Sequence, residues 1–384
     1  MSKRVLYIHF IAFLTGLITN MVHPITPTYI RSLQIDDYMF GIFFATVNLG
    51  IFLAAPFWGN LGDNKKRSVI IAIGFLGYGI SQLLFGTFTS AYQIAIVRFT
   101  GGVFTAAFQV STIAHLLDEE LVNKKTHVSI YLALVVLGAS FGYLIGGSLG
   151  EIIALKKIFY IQAIGSGLMV ILSLFLKDNK KEIKDSKRSA FGSFKALKEL
   201  DSKLIFLFIV IMIANISIIN FSKYIDLYIN DLNYTSGVVG QINFVSGFVT
   251  IFVTLLIVPR LINKYESLKI GIISLIFAGF FSVIVFLVPK NQFLYFMYTT
   301  FMIYIAFKTI YEPAMINHIN DQKGTTGMLM GLRQSALALG AVIGPILAGL
   351  VYGKINHYLF VILSILLVVA GILLIYYQRM SEKK

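Results

Sequence analysis

Twelve continuous apolar runs, most of about twenty residues or more, leave this chain few ways to fold. Crossing a bilayer takes about 20 apolar residues in helical form, because every backbone N–H and C=O must find its partner inside the segment. The runs lie at 5–30, 38–60, 68–88, 92–117, 127–150, 157–176, 204–230, 237–258, 268–288, 292–316, 325–352 and 357–378, numbered here as spans 1 to 12. They are continuous rather than alternating and too long for tilted strands, which excludes a transmembrane barrel. Composition agrees. The chain is 57% hydrophobic and 13% charged, against about 45–50% and about 25% for an ordinary soluble domain, so it has too little polar surface to coat a globule in water. The expected class is an all-α integral membrane protein with twelve transmembrane helices. The absence of cysteine excludes disulfides and thiolate metal sites. The first run passes Pro24 and Pro27 without a small-residue cleavage site, so span 1 is expected to be a retained helix.

An even number of spans puts both termini on one side. Connectors on that side carry 23 Lys and Arg, while the other side carries 5, namely Arg31, Lys156, Lys157, Lys290 and Lys354. The positive-inside rule then places both termini in the cytoplasm. The net charge of +14 is largely topology-setting charge, since nine cations fall between Lys177 and Lys203; it does not read as a nucleic-acid footprint. That stretch divides the chain into an N-terminal bundle (1–176), a basic cytoplasmic linker (177–203) and a C-terminal bundle (204–384).

The halves repeat. Tyr29-Ile30-Arg31 precedes Gly41 as Tyr228-Ile229-Asn230 precedes Gly240, an offset of 199 residues. Gly138-x3-Gly142-Tyr143-x2-Gly146-Gly147 in span 5 matches Gly340-x3-Gly344-Pro345-x2-Ala348-Gly349 in span 11, an offset of 202. Two matches at nearly one offset predict two pseudo-symmetric six-helix bundles. Duplicated bundles with a site near the bilayer midplane are a transporter architecture. Between spans 2 and 3 lies Gly59-Asn60-Leu61-Gly62-Asp63-Asn64-Lys65-Lys66-Arg67, read as a tight charged turn at the cytoplasmic surface. A carboxylate there, Asp63, suits a neighbouring helix N-terminus. Asp118, at the end of span 4, is the expected partner of Arg67.

With these pieces placed, the chain resembles the major facilitator superfamily over its whole length, and within it the twelve-span drug:proton antiporters. Gly59, Leu61, Asp63 and Arg67 fit that superfamily's G-x-L-x-D-r-x-G-r-r signature, with Lys66 where the second glycine is usual. Arg98-x2-Gly101-Gly102-x-Phe104-x-Ala106-Ala107 resembles the span 4 motif without its usual glutamine. Leu14 to Ile30, with His23-Pro24-Ile25-Thr26-Pro27, resembles the span 1 motif of drug exporters. Span 5 resembles the antiporter motif g-x3-G-P-x2-G-G with Tyr143 in place of proline, and the span 11 copy keeps the proline as Pro345. The resemblance implies that the 59–67 stretch with Asp118 latches the two halves. It also makes Gly142, Gly146, Gly344 and Pro345 conformational residues, placed where helices pack closely enough for halves to rock.

Ionisable groups inside spans are costly, and so they face a cavity or a partner. Span 4 holds Arg98. Span 7 holds Lys223 and Asp226, and span 10 holds Lys308 and Glu312, spacings that put each pair on one helix face. Pro313, next to Glu312, frees a carbonyl one turn back and invites a kink. Arg333 is a further cation of span 11. The resemblance implies that spans 1, 4, 7 and 10 line a central cavity where these charges converge. Glu312 is then the expected carrier of a coupling proton, and Arg98 a fixed positive charge beside it or a contact for an anionic substrate. A blander reading makes the two pairs self-neutralising. His23 is a candidate titrating group beside the proline-bent part of span 1, and His115 is expected at the interface. Among the aromatic residues, Phe104, Phe108, Tyr131, Phe221, Tyr224, Tyr304 and Phe307 are candidates to line an apolar pocket.

No His/Asp/Glu spacing suggests a metal and no glycine-rich loop with lysine suggests a nucleotide. No cofactor is expected, and the proton gradient supplies the energy. The mixed charges point away from a purely cationic drug and toward an anionic or zwitterionic amphiphile. The expected protein is therefore not an enzyme. It is a proton-coupled, alternating-access exporter of multidrug type, a monomer in a bacterial cytoplasmic membrane. Its expected partners are an amphipathic small molecule or lipid, protons and membrane lipids, without nucleic acid. A lipid or glycolipid flippase of the same fold, or a sugar or metabolite transporter, is the rival reading.

Overall fold

The computed structural model describes residues 3–119, 124–178, 201–322 and 326–382. Among these, the regular structure is helical, with no strand. Eleven helices are long and apolar enough to cross a membrane. They are span 1 (Lys3–Ser32), span 2 (Tyr38–Gly62), span 3 (Arg67–Phe85), span 4 (Ala91–Leu117), span 5 (Thr126–Ile152), span 6 (Leu155–Leu174), span 7 (Ser202–Asp231), span 8 (Ser236–Lys264), span 9 (Ser267–Leu287), span 11 (Leu332–Ile355) and span 12 (Tyr358–Met380). Span 10 consists of Lys290–Tyr298 and Thr300–Asn320, bent by 42° at the break. The twelve runs are thus twelve helical spans. Residues 179–200 of the expected linker lie outside the described residues.

Breaks in the helices trace to prolines and back-bonding hydroxyls. Span 1 changes to a 3-10 turn at His23–Ile25, where Pro24 removes an N–H from the ladder, and resumes as an α-helix from Thr26. Span 8 widens to a π turn at Val253–Ile257, directly before Pro259. In span 10 the expected kink at Pro313 is not where the helix breaks. The helix runs unbroken through Pro313 from Thr300 to Asn320, and the break is at Thr299, whose hydroxyl donates to the Tyr295 carbonyl at 2.8 Å. A local side-chain acceptor of that kind competes with the helical ladder.

The charged stretch between spans 2 and 3 also differs from the expected turn. The helix of span 2 continues to Asn64, so only Lys65 and Lys66 connect it to the next helix at Arg67. Tertiary anchoring, including the Trp58 Nε1–H bond to the Val103 carbonyl at 2.9 Å, outweighs the weak helix propensity of Gly59 and Gly62. Lys66, standing where the signature has glycine, has φ −61° and ψ 120°, a backbone conformation open to any residue.

By internal contacts the chain forms two units. One holds spans 1 to 6 together with Ile229–Gly247; the other holds the rest of spans 7 and 8 with spans 9 to 12. The sequence repeat runs 1–176 against 204–384, whereas the contacts group the end of span 7 and the start of span 8 with the first six spans. Glycines explain this. In the first unit a β-carbon on Gly138, Gly142 or Gly146 would fall on the carbonyl oxygens of Phe13, Leu17 and Met21, so spans 1 and 5 touch backbone to backbone. On its other side span 5 meets span 8, where a β-carbon on Gly147 would fall on the Ser236 carbonyl oxygen and Ser236 Oγ donates to the Gly147 carbonyl at 3.0 Å. Where lipid supplies no hydrophobic drive, such close approach is what holds helices together.

In the second unit the equivalent helices pack by the same positions. A β-carbon on Gly340 would lie 3.0 Å from the Met212 carbonyl oxygen, and one on Gly344 would lie 3.3 Å from the Ile216 α-carbon and 2.9 Å from Asn220 Nδ2. Met212 and Ile216 are 199 residues after Phe13 and Leu17, so the repeat is structural as well as sequential, and its second copy packs less tightly. Gln34 and Asn233, also 199 residues apart, both adopt left-handed backbone, with φ 56° and 63°. The aromatic candidates are mostly core residues. Phe108, Tyr131, Phe221, Tyr224 and Tyr304 are buried, and Phe307 stacks on Phe277 and Phe281. Their rings pack against neighbouring side chains within each unit.

Candidate functional site

At the end of the first unit that carries the N-terminus, Arg67 Nε donates to Asp118 Oδ2 at 2.7 Å. Arg67 is the first residue of its helix and Asp118 caps the end of span 4, so the pair ties two helix ends together. Gly62 leaves room for this guanidinium, because a β-carbon there would lie 3.0 Å from Arg67 Nη1. The Asp63 side chain lies outside the described part of the structure. A β-carbon on Gly59 would meet Val110 at an ordinary 3.7 Å, so this glycine is not required by close packing on described atoms. Asp178, which sequence reasoning passed over, accepts from the Ser68 backbone N–H at 3.1 Å and from the Ser68 hydroxyl. It therefore caps the N-terminus of span 3 from the end of span 6, the placement that the exposed N–H groups of a helix start favour. His115 was expected at the interface. It is buried instead, with Nδ1 3.5 Å from Asp178 Oδ1.

Toward the opposite end, Arg31 pairs with Asp37 at 3.1 Å and with Asp231, and Arg31 Nη1 donates to Asn230 Oδ1 at 3.4 Å. Asn230 Nδ2 donates to Thr28 Oγ1 at 3.0 Å. This cluster ties the end of span 1 to the end of span 7 within the first unit. Its signal in the sequence was the repeated Tyr-Ile-x segment.

Arg98 is buried against aromatic rings. It is 7% exposed, with its guanidinium carbon 4.4 Å from the centre of the Phe85 ring and 5.9 Å from that of Phe44. Its Nε and Nη2 have no hydrogen-bond partner among the described residues. Ring faces compensate part of the desolvation of a guanidinium, and its span 4 position between spans 2 and 3 puts those rings within reach. His23 lies between the same Phe44 ring, 6.4 Å away, and that of Tyr143, 5.7 Å away, stacked on both. Tyr143, the residue in place of the motif proline, thus closes against the bend in span 1.

The second unit holds the other membrane charges. Asp226 is buried and Lys223, one turn earlier, is partly buried; each has a polar or electrostatic partner. Pro345 offers its carbonyl to the Tyr224 hydroxyl at 3.0 Å. In span 10 the ion pair that Glu312 makes is with span 11, whereas the blander reading paired it with Lys308. Glu312 Oε1 accepts from Arg333 Nη2 at 2.8 Å, an ion pair between spans 10 and 11. A planar guanidinium arriving from a neighbouring helix meets the carboxylate in better geometry than a lysine on the same helix. The side chain of Arg333 is 10% exposed and that of Glu312 63%. Lys308, Tyr311, Glu312 and Arg333 line one cavity of about 80 Å³ with Asn215 and Met315. Arg333 is the partner of Glu312 that sequence reasoning did not assign. It was visible only as a cation inside an apolar run.

A family model described as Major Facilitator Superfamily matches residues 8–322. The chain is 23% identical to Multidrug resistance protein 2 of Bacillus subtilis (strain 168), over 97% of this chain and 94% of that one. It is also 23% identical to Quinolone resistance protein NorA of Staphylococcus aureus (strain COL), over 100% and 98%. Among solved structures, the fold is similar to a variant of the nucleoside transporter NupG, with a TM-score of 0.86 at 13% identity, covering 98% of this chain and 100% of that one.

Proposed function

The chain belongs to the Major Facilitator Superfamily and is a transporter of that fold, and on this premise we propose that it exports amphipathic small molecules against entering protons. The curated relatives, named for multidrug and quinolone resistance and aligned over nearly the whole chain, support the drug-export type. Substrate and protons are the partners of this reading, the proton gradient is its energy source, and no catalytic chemistry is assigned. A bacterial plasma membrane, with both termini in the cytoplasm, is the proposed location.

The observation that carries proton coupling is the Glu312–Arg333 ion pair. It joins two spans inside the membrane. Protonating Glu312 removes the carboxylate charge and with it the attraction between the spans; deprotonation restores it. A carboxylate so placed converts the presence of a proton into a change in helix–helix attraction, which is what coupling to alternating access requires. Its side chain is 63% exposed, so protein atoms leave it open to a proton donor, while the buried arginine cannot move without breaking the pair. Asp226, in the same unit, is assigned to the electrostatic background of that step, and Arg67–Asp118 to the latch that is made and broken as the protein cycles. Gly142, Gly146, Gly344 and Pro345 set the close helix contacts about which it moves.

The test uses the full chain in proteoliposomes with a trapped pH indicator. Addition of a transported amphipathic dye should move protons in the opposite sense to the dye, and Glu312→Gln should abolish both while the protein remains monodisperse. Unchanged coupled transport in that variant would remove the proton site. Dye movement with no pH change would remove antiport.

A further inference from the structure

The span 10–span 11 cavity carries more positive charge than its own residues neutralise. Lys308 and Arg333 supply two cations and Glu312 one carboxylate. The side chains from span 7 that complete the lining, Ile211, Asn215 and Ile218, are uncharged. Hydrogen bonding is unbalanced as well. Arg333 Nε and the Tyr311 hydroxyl are buried and have no hydrogen-bond partner among the described residues, although both belong to residues that line the cavity. Arg333 is 8% exposed and Tyr311 5%. Among the described residues the partly buried Lys308 ammonium makes no ion pair or hydrogen bond, and Glu312 attracts it only through space. Asn215 is otherwise engaged, donating to the Leu337 carbonyl at 2.6 Å.

Three donors, two of them charged, therefore meet around a space of about 80 Å³ and lack acceptors. Buried donors without acceptors are costly, and Arg333 Nε and the Tyr311 hydroxyl are such donors; the partly buried Lys308 ammonium adds a second charge beside them. What satisfies all three is a monoanion with at least two oxygens, and the volume admits a group of carboxylate size, not a whole amphiphile. Glu312 on the same wall adds a second requirement. Its side chain is 63% exposed, so protein atoms leave the carboxylate room to accept from a cation as well as from Arg333. Under the proton-antiport reading above, the transported molecule must displace a proton from Glu312, which a ligand ammonium does and a bare anion does not. An anion alone would instead favour protonated Glu312 and travel with the proton.

We propose that this cavity is a subsite for a zwitterionic amphiphile, whose carboxylate is held by Lys308, Arg333 and Tyr311 and whose ammonium meets Glu312. The carboxylate part stands on the cavity alone; the ammonium part rests on the antiport reading.

Nε-dansyl-lysine, a fluorescent amphiphile with both charges, tests the two parts by equilibrium binding to the purified full chain, without a gradient. Its methyl ester lacks the anion and its Nα-acetyl derivative lacks the cation. Dansyl-lysine should bind about tenfold tighter than the ester, the scale of a charge-assisted contact. Lys308→Met should close that gap and Lys308→Arg should keep it; neither breaks an existing bond. Glu312→Gln should close the gap between dansyl-lysine and its acetyl derivative. The carboxylate subsite is overturned by equal binding of acid and ester, by a preference that survives in Lys308→Met, or by no saturable binding of dansyl-lysine. Acid preference without proton movement in vesicles would remove the antiport reading and leave the subsite. Proton-coupled dye export without acid preference would do the reverse.

Discussion

Arg31 and Asn230 occupy the same place in two copies of a segment 199 residues apart, and they hydrogen-bond each other. The contact is reinforced by the Arg31–Asp231 ion pair and by Asn230 on Thr28. Duplication has put one residue type in each copy so that the two ends of spans 1 and 7 complement each other.

Because the chain has no cysteine, Thr28→Cys supplies a single reporter at this corner. Asp231→Asn should speed its reaction with a maleimide by about fivefold, the population shift that losing a partly buried ion pair of about 1 kcal/mol allows. An unchanged rate would mean that Asp231 does not hold the corner closed.

Asp118→Asn leaves Arg67 at the head of span 3 without its carboxylate. If the pair is the latch, equilibrium binding of a transported dye should stay within about twofold, while turnover falls by about tenfold, or about 1.4 kcal/mol in the barrier. Loss of binding with turnover intact would make the pair a part of the substrate site instead.

Spans 1 and 5 leave no space at Gly146, where a β-carbon would overlap the Met21 carbonyl oxygen. Gly146→Ala should therefore lower thermal stability and transport together. Gly340→Ala should be milder, since its nearest atom, the Met212 carbonyl oxygen, is 3.0 Å away and can yield by a few tenths of an ångström. Thermal melts of the two variants in one detergent compare them directly. Equal losses would contradict the looser packing of the second copy.

A double-mutant cycle of Glu312→Gln and Arg333→Gln should give a coupling of about 1 kcal/mol in unfolding free energy, held low by the exposure of Glu312. The same cycle with Lys308→Gln should give less, because Lys308 is not in the pair.

Much of the architecture was legible because a bilayer imposes a length and a polarity on every span, and both are local properties of the chain. Twelve runs became twelve helical spans, and the repeated glycines correctly marked where helices touch. The 59–67 stretch was misjudged in part: glycine and charge suggest a turn, yet packing against span 4 carries the helix on to Asn64. The membrane charges were found by type but not by partner. Helical spacing pairs Lys308 with Glu312, since residues on one helix are all that a local pattern can relate.

Sequence alone determined the class, the spans, the duplication and the family signature, since each rests on the transfer of side chains into lipid or on residue order. Tertiary structure alone decided that Glu312 belongs to Arg333, that Arg98 is buried against Phe85 and Phe44, and that Asp178 caps span 3. These contacts join residues 21 to 110 positions apart, or wedge a guanidinium between rings from two other helices. Coulomb attraction and hydrogen bonding depend on distance through space, and only the packing of one helix against another sets that distance.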